Sequence, residues 1–196
     1  MNLVDRAKNI LLKPKEEWVV INQETTSVTE LCTKYLLILA LIPALAQFVK
    51  NGLIGYSIPF VGHVNGSIEM GIRQAIISYA STVAGAFISA FVIDALATSF
   101  GSQKNFSRAF QLVVYSFTAM MVAGIFYLIP GLSILSILGL YGLYILYLGM
   151  TPMMQTPEDK VVGYFVVSLV VIIAVYVVLS LILGALFIAK TVMTGM

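Results

Sequence analysis

The sequence YLIPGLSIL, residues 127–135, joins two long apolar segments through only Pro130 and Gly131. Proline and glycine break a helix and permit a tight reversal of the chain. Because so short a link leaves no other geometry, segments 109–129 and 132–150 are predicted to form an antiparallel helical hairpin, packed side by side.

The composition indicates that this hairpin lies in a membrane. Apolar residues make up 60% of the 196 residues and charged residues only 10%, whereas average soluble domains carry roughly 25% charged residues. Such a chain has too little polar surface to cover a soluble globule. A span needs about 20 apolar residues, and we therefore predict an all-α, polytopic bundle of five transmembrane helices. The candidate spans are 31–49, 72–98, 109–129, 132–150 and 161–189.

The distribution of basic residues predicts the orientation of the bundle. Short loops that carry more Lys and Arg tend to stay in the cytoplasm. With the N-terminus inside, five spans place eight basic residues inside and three outside, so the C-terminus is expected outside. The inside set is Arg6, Lys8, Lys13, Lys15, Lys34, Lys104, Arg108 and Lys160, and the outside set is Lys50, Arg73 and Lys190.

The chain divides into an N-terminal segment, 1–30, and a transmembrane domain, 31–196. Leu3, Ala7, Ile10 and Leu11 share one face of a predicted amphipathic helix, a pattern typical of interfacial helices. We expect this helix to lie on the membrane surface, with packing against the inner ends of the spans as the alternative. Anchoring at the membrane interface is assigned to Arg6, Lys8, Lys13, Lys15 and Trp18.

Two helix starts carry capping signals. Ser27 stands three residues before Glu30, which predicts a capping box at the start of the first span. Thr156 precedes Pro157 and stands three residues before Asp159, which predicts that Thr156 caps the fifth span with Pro157 in its first helical position.

The segment GLYGLYILYLG, residues 139–149, carries tyrosines and glycines on different sides of one helix. At about 100° per residue the tyrosines cover one arc of roughly 120°. The glycine side permits close helix packing, while the hydroxyls need partners at membrane depth. Two interpretations stay open: internal hydrogen bonds with Ser116, Thr118 or Gln111, or a groove for a substrate or partner. The residues concerned are Tyr141, Tyr144 and Tyr147, and Gly139, Gly142 and Gly149.

Asp94 is the one candidate within the spans for an ionisable functional residue. It lies about one turn from the inner end of the second span. One interpretation is a structural role, as an ion pair with Lys104 or Arg108 beyond the loop or as a carboxylate that reaches interfacial water, and the other is a proton or cation site. It is grouped with the tyrosines as a candidate groove residue.

The second span also carries a series of small and polar residues. Spacings of four, as between Gly85 and Ser89, normally permit close helix packing. We interpret the series as a packing face, with a polar pore lining as the alternative. Its polar members are Gln74, Ser78, Ser81, Thr82 and Ser89.

Enzymatic and metal-binding functions lack a supporting pattern. The single cysteine, Cys32, and the single histidine, His63, argue against a disulfide within the chain and a metal site. Neither a nucleophile elbow nor a glycine-rich phosphate loop is present. We therefore expect a non-enzymatic protein without a cofactor and without nucleic acid as a partner.

Four strings, in this order, resemble the Yip family (Ypt-interacting proteins) and specifically its bacterial branch. They are ILLKPKEEWVVINQE (10–24), KYLLILALIPALAQFV (34–49), AFQLVVYSFTAMMVAGIFYLIPGLSIL (109–135) and GLYGLYILYLGMTPMMQTPEDKVVGY (139–164).

The resemblance implies a five-helix membrane domain with its N-terminus inside, here in a bacterial cytoplasmic membrane. Similar eukaryotic proteins act in Golgi and endoplasmic-reticulum membranes and bind prenylated Rab-type GTPases and one another. This sequence lacks their long N-terminal region with its Asp-Leu-Tyr-Gly-Pro motif, so GTPase binding is not expected.

Two functions follow as hypotheses. The first is a membrane-organising or partner-binding scaffold, whose partners are the lipid bilayer, including anionic lipids, and other membrane proteins or a second copy of itself. The alternative is a permease for a small solute or lipid, with a polar cleft between spans 2, 3 and 4.

Overall fold

The computed structural model describes residues 2–58 and 62–193. The side chains of 56–58, His63, Pro130, Ser180 and 182–193 lie outside this description, so it does not cover the side chains of His63 and Lys190 discussed above.

The chain begins with two short helices, α1 (Leu3–Leu12) and α2 (Pro14–Gln23). The Asn2 side chain caps α1 by accepting a hydrogen bond from the Asp5 amide at 2.8 Å. Pro14 starts α2 because proline lacks the amide hydrogen that the first helical position leaves unbonded anyway. Both helices cover one end of the bundle, which we call the N-terminal side.

The prediction of five spans is confirmed. Within the described residues, five helical segments are long and apolar enough to cross a membrane. They are span 1 (Val28–Ile54), span 2 (Ile68–Phe100), span 3 (Phe106–Leu128), span 4 (Gly131–Met154) and span 5 (Val161–Leu179).

Span 1 is irregular and ends in a small hairpin. Ser27 accepts a hydrogen bond from the Glu30 amide at 3.1 Å, which confirms the Ser27 half of the predicted capping box, while the Glu30 carboxylate pairs with Lys34. The span consists of α3 (Val28–Leu31), a π-helical turn (Cys32–Leu36), α4 (Leu37–Leu39), α5 (Leu41–Val49) and a second π-helical turn (Lys50–Ile54). The antiparallel pair β1 (Tyr56–Ile58) and β2 (Gly62–Val64) then leads to span 2.

Spans 2, 3 and 4 cross the bundle in alternating directions. Span 2 is α6 (Ile68–Leu96) with a 3₁₀ turn (Ala97–Phe100). Span 3 is α7 (Phe106–Ser116), α8 (Thr118–Ala123) and a 3₁₀ helix (Gly124–Leu128). Span 4 starts as a 3₁₀ helix (Pro130–Leu140) and continues as α9 (Tyr141–Met154).

A 3₁₀ turn (Glu158–Lys160) precedes α10 (Val161–Met193), which contains span 5. The prediction that Thr156 caps this helix is wrong. Thr156 is 2% exposed and donates to the Met150 carbonyl at 3.1 Å while it accepts from Ser102 at 2.9 Å. Its hydroxyl therefore ties the loop to the end of α9 and to the loop after span 2, and Pro157 takes the position before the turn.

The predicted hairpin of spans 3 and 4 is confirmed, but half of it is wound more tightly than an α-helix. Residues 132–140 read LSI-LSI-LGL, a repeat of three that matches the 3.0 residues per turn of a 3₁₀ helix. Ser133, Ser136 and Gly139 therefore form one small face, and Gly139 meets Met120 of α8.

Span 3 lies at the centre of the bundle, with 72% of its most apolar window buried inside the protein, against 11% for span 4 and 17% for span 5. The core also contains Ile10, Trp18 and Ile21 from the N-terminal segment, each at most 1% exposed. The N-terminal helices and the spans therefore share one core.

Candidate functional site

α9 turns its three tyrosines outward. Tyr141, Tyr144 and Tyr147 are 38%, 46% and 36% exposed. The rings of Tyr141 and Tyr144 lie 5.6 Å apart, and Tyr147 meets Phe165 of α10 edge-on at 5.6 Å. Within the described part of the chain, none of the three hydroxyls has a hydrogen-bond partner. We call these residues the tyrosine face.

The internal partners considered for the tyrosine face are bonded elsewhere, so that interpretation is wrong. Ser116 donates to the carbonyl of its own helix one turn earlier, at Leu112 (2.7 Å). Thr118 bonds the Tyr35 hydroxyl at 2.8 Å. Gln111 donates to the Thr26 carbonyl at 2.7 Å. The bonds of Thr118 and Gln111 hold span 3 to span 1 and to the N-terminal segment, away from α9.

The glycines of α9 lie against span 3 and α2. A Cβ added to Gly142 would lie 2.6 Å from the Ser116 carbonyl oxygen, and one added to Gly149 would lie 2.5 Å from a Leu112 methyl. Gly149 also lies beneath the Trp18 ring, because the same added Cβ would lie 2.6 Å from a carbon of that ring. With the contact of Gly139 on Met120, the whole glycine side faces the protein, opposite the tyrosine face.

Trp18 is not an interface anchor, and that prediction is corrected. Its ring is 1% exposed, and Nε1 donates to the Ile145 carbonyl of α9 at 3.0 Å. The flat surface over Gly149 provides the space for this ring. α2 therefore packs on the protein, because the indole finds both its apolar contacts and its hydrogen-bond acceptor there.

Arg6 is likewise buried rather than directed to lipid headgroups, and that prediction is also corrected. Its guanidinium forms ion pairs with Glu17, at 2.5 Å, and with Glu24. It also stacks over the Tyr115 ring of span 3, 5.4 Å from the ring centre. Lys8, Lys13 and Lys15 by contrast are exposed. The alternative of an N-terminal helix packed on the spans is the arrangement observed.

The environment of Arg6 maintains its charge. Burial by itself lowers the pKa of the guanidinium, but the hydrogen bond to Glu24 and the nearby negative groups raise it by more. The net pKa therefore lies above its ordinary value. A buried cation of this kind is stable only while its carboxylate partners remain in place.

Asp94 lies where span 2 approaches span 5, and the predicted ion pair is wrong. It forms no ion pair with a described residue, and its Oδ1 is buried without a hydrogen-bond partner. Arg108 instead donates to carbonyls at the end of α2 and beyond it, among them Asn22 at 3.0 Å. The hydroxyl of Tyr164 bonds the carbonyl of Ile93, the residue before Asp94, at 2.5 Å.

Gly85 and Ser89 form a close contact between α6 and α10. The Tyr176 hydroxyl stands directly over Gly85, where a Cβ would collide with it, and next to Ser89. These two residues are therefore placed where the packing interpretation expects them, with a tyrosine as the opposing group.

A family model described as "Yip1 domain" matches residues 8–188. The chain belongs to the Yip1 domain family. The match begins within α1 and ends within α10, so it includes both the N-terminal helices and the five spans. No curated protein and no solved structure gives a significant match.

The Yip1 domain also contains a cleft of about 550 Å³ to which all five spans contribute. We call it the α6 cleft, because one face of α6 lines its length. Asp94 and the tyrosine face are not among its lining residues, so the structure separates two groups that the sequence interpretation combined in one groove. Its polar lining residues include Gln47, Gln74, Ser78, Ser81, Thr82, Ser89, Tyr127 and Tyr176.

The sequence contained a signal for this cleft. Gln74, Ser78, Thr82 and Ser89 recur at helical spacing, which places them on one side of α6. By sequence alone this series is interpreted as a packing face. In the Yip1 domain its Ser89 end packs against Tyr176, and the whole series lines the cleft.

Proposed function

We propose that this Yip1-domain protein is a non-enzymatic scaffold of a bacterial cytoplasmic membrane, and that it associates through the tyrosine face with a second copy of itself or a neighbouring membrane protein. The observation that carries this proposal is the exposure of three tyrosine hydroxyls, without partners in the described chain, on a span that is mostly uncovered.

The depth of the tyrosine face supports a protein partner. Tyr141 and Tyr144 lie near the middle of span 4, well away from either end. Lipid tails offer no hydrogen-bond acceptors there, so an unpaired hydroxyl costs free energy. A polar group on another helix removes that cost, and hydrogen bonds between helices in membranes are worth about 1 kcal/mol each. Tyrosine is also enriched at protein interfaces.

The glycine side of α9 makes this arrangement stable. It holds α9 against span 3 and Trp18, so the tyrosines are fixed on the outer surface instead of rotating into the core. The exposed Lys8, Lys13 and Lys15 at the N-terminal side would add attraction to anionic lipids.

Cysteine crosslinking in membranes tests the proposal. Cys32 is replaced by Ser, and a single cysteine is introduced as Tyr144→Cys or, as a control at similar depth, Ile173→Cys on α10, where the native side chain is 61% exposed. We expect oxidation to capture a dimer with Tyr144→Cys and not with Ile173→Cys. Adding Tyr141→Phe and Tyr147→Phe to Tyr144→Cys should reduce the dimer, because hydroxyls are lost while rings remain.

Equal crosslinking at both positions, or a monomer at every protein density, would count against association of two copies through this face.

The permease alternative is supported less well. The α6 cleft exists, but its end toward the N-terminal side is lined by Ile93, Val113 and Leu146, which are at most 5% exposed. A cleft closed at one end suits binding better than passage.

A further inference from the structure

The α6 cleft opens sideways, toward the hydrocarbon of the bilayer. Several of its lining residues are exposed on that side, including Ile77 (47%), Met120 (43%) and Leu143 (38%). These side chains come from spans 2, 3 and 4 and are apolar. A hydrocarbon chain from the surrounding lipid therefore has both access to the cleft and favourable walls along it.

The length of the cleft suits a lipid chain that enters from the side opposite the N-terminal helices. From Gln74 to Ser89 the lining spans 15 residues of α6, or about 22 Å at about 1.5 Å per residue. Half of a hydrocarbon core is about 15 Å thick. One acyl chain of that leaflet therefore fits along the cleft before the buried residues close it.

The mouth of the cleft is polar. Gln47, Gln74 and Tyr127 line it at the ends of spans 1, 2 and 3 that face away from the N-terminal side. Asn51 donates to the side-chain oxygen of Gln47 at 3.0 Å, which fixes that amide at the rim. Amide and phenol groups at this level match the ester and glycerol region of a lipid.

Two cations lie at the level of this mouth. Lys50 begins the π-helical turn of span 1, and its ammonium lies 5.9 Å from the centre of the Tyr127 ring, which itself lines the cleft. Arg73 directly precedes the lining residue Gln74 in the second turn of α6, so it lies at the same level as the rim, and its side chain is exposed. Glu69, the acidic residue one turn before Arg73, forms no ion pair with it. The mouth therefore carries cations whose charge no described ion pair neutralises.

We propose that the α6 cleft is a binding site for one anionic phospholipid from the leaflet opposite the N-terminal helices. Lys50 and Arg73 hold its phosphate, Gln47 and Gln74 contact its glycerol region, and one acyl chain lies along α6. Tyr176 and the buried Ile93 end the chain's path. This site is separate from the exposed lysines of α1 and α2, which face the other leaflet.

The hydroxyls of α6 are compatible with that chain. Thr82 donates to the Ser78 carbonyl of its own helix at 2.9 Å. Ser89 interacts with Tyr176. Since both hydroxyls already have hydrogen-bond partners within the protein, they do not need water, and an acyl chain can lie against this wall.

Lipid photo-crosslinking tests the site. The full chain is placed in nanodiscs that contain a small fraction of phosphatidylglycerol carrying a diazirine on one acyl chain, and labelled peptides are mapped by mass spectrometry. We expect label on residues 74–89 of α6 and around Tyr176. Label on the outward residues Val170 and Ile173 at the same yield would overturn the proposal, since ordinary annular lipid gives that result.

Headgroup preference is measured by retention of phosphatidylglycerol against phosphatidylcholine in native mass spectra. We expect preferential retention of the anionic lipid, falling about fivefold for each cation removed by Lys50→Ala and Arg73→Ala. The matched control, Lys104→Ala, removes one exposed charge from the opposite side and should leave retention unchanged. Equal retention of the two lipids by the native chain, or an equal loss in the control, contradicts the proposal.

A cleft-filling variant, Ser81→Phe, separates chain binding from headgroup attraction. It should lower the labelling of α6 while the melting temperature is maintained. Unchanged labelling in a folded variant contradicts an acyl chain in the cleft. These readouts do not depend on the tyrosine face, because crosslinking at Tyr144 is measured separately.

Discussion

Arg6 decides how the N-terminal helices are attached to the spans. Its side chain and that of Glu17 are each 6% exposed, while Glu24 is partly open to solvent. Taking two charges out of water costs several kcal/mol per ion, and the attraction between the paired ions offsets that cost only while both partners are present. The triad of Arg6, Glu17 and Glu24 is therefore a specific attachment rather than a general attraction to the membrane.

Replacing Arg6 by Ala should release α1 and α2 from the bundle. Glu17 is then left buried without its cation, a change that typically costs about 3–5 kcal/mol. Hydrogen–deuterium exchange should show faster exchange over residues 3–23. Lys8→Ala, an exposed position on the same helix, should change stability by no more than about 0.5 kcal/mol.

If Arg6→Ala fails to fold, Arg6→Lys keeps the charge and loses the forked geometry, so an intermediate effect is expected.

The pKa of Arg6 is raised in the folded protein, so the stability that Arg6 contributes is complete below the ordinary arginine pKa and is lost only at still higher pH. Raising the pH to about 9 should therefore leave the attachment intact as far as Arg6 is concerned. Slow exchange over residues 3–23 in a folded Arg6→Ala variant would show that the triad does not hold these helices.

The 3₁₀ helix Pro130–Leu140 is the unusual element of the fold. Runs of more than three or four residues are uncommon in this conformation, because its hydrogen bonds are poorer than those of an α-helix. Here the three-residue repeat places small side chains on one face every turn, and Gly139 on that face meets Met120 of α8. Cavities of about 550 and 450 Å³ border the same helix. The other spans therefore cover this helix only in part.

At the transition to α9, Gly142 sets the distance between spans 3 and 4. An added Cβ would lie 2.6 Å from the Ser116 carbonyl oxygen, a backbone atom that cannot move without moving the helix. Gly142→Ala should therefore destabilise the protein by about 1–3 kcal/mol, which lowers the melting temperature by about 2–4 °C per kcal/mol at this chain length.

Gly163→Ala is the matched control, because its added Cβ would meet the Phe100 ring at an ordinary distance of 3.5 Å. Its melting temperature in the same detergent should stay equal or rise, since alanine favours helix over glycine. If Gly142→Ala melts no lower than the control, the close approach of spans 3 and 4 is not required.

On the scale of the whole molecule, five spans and the charge distribution predict opposite locations for the N-terminal side and the loop between spans 1 and 2. With Cys32 replaced by Ser, Asn65→Cys should react with a membrane-impermeant maleimide in intact cells. Lys8→Cys and Gln103→Cys should react only after the cells are opened. A permeant maleimide, expected to label all three, controls for thiol reactivity.

Labelling of Lys8→Cys and Asn65→Cys from the same side would contradict the arrangement of span 1. Labelling of Gln103→Cys together with Asn65→Cys would contradict that of span 2. Reversed labelling of all three would leave the spans correct and reverse the orientation.

The spans, their number and the hairpin of spans 3 and 4 followed from the sequence by itself, because hydropathy, the Pro130–Gly131 break and the Ser27 cap depend on neighbouring residues. The same holds for the two sides of α9, since helical periodicity separates tyrosines from glycines wherever the helix lies. These properties need no knowledge of what covers the helix.

Burial and pairing were decided only by the tertiary structure. Trp18 and the basic Arg6 have the composition of interface anchors, but Trp18 bonds Ile145, 127 residues away, and Arg6 bonds Glu17 and Glu24 on the other side of Pro14. The α6 cleft is likewise assembled from five spans. Local periodicity shows which side chains share a face, whereas only the packing of distant segments decides whether that face meets lipid, a ligand or the protein itself.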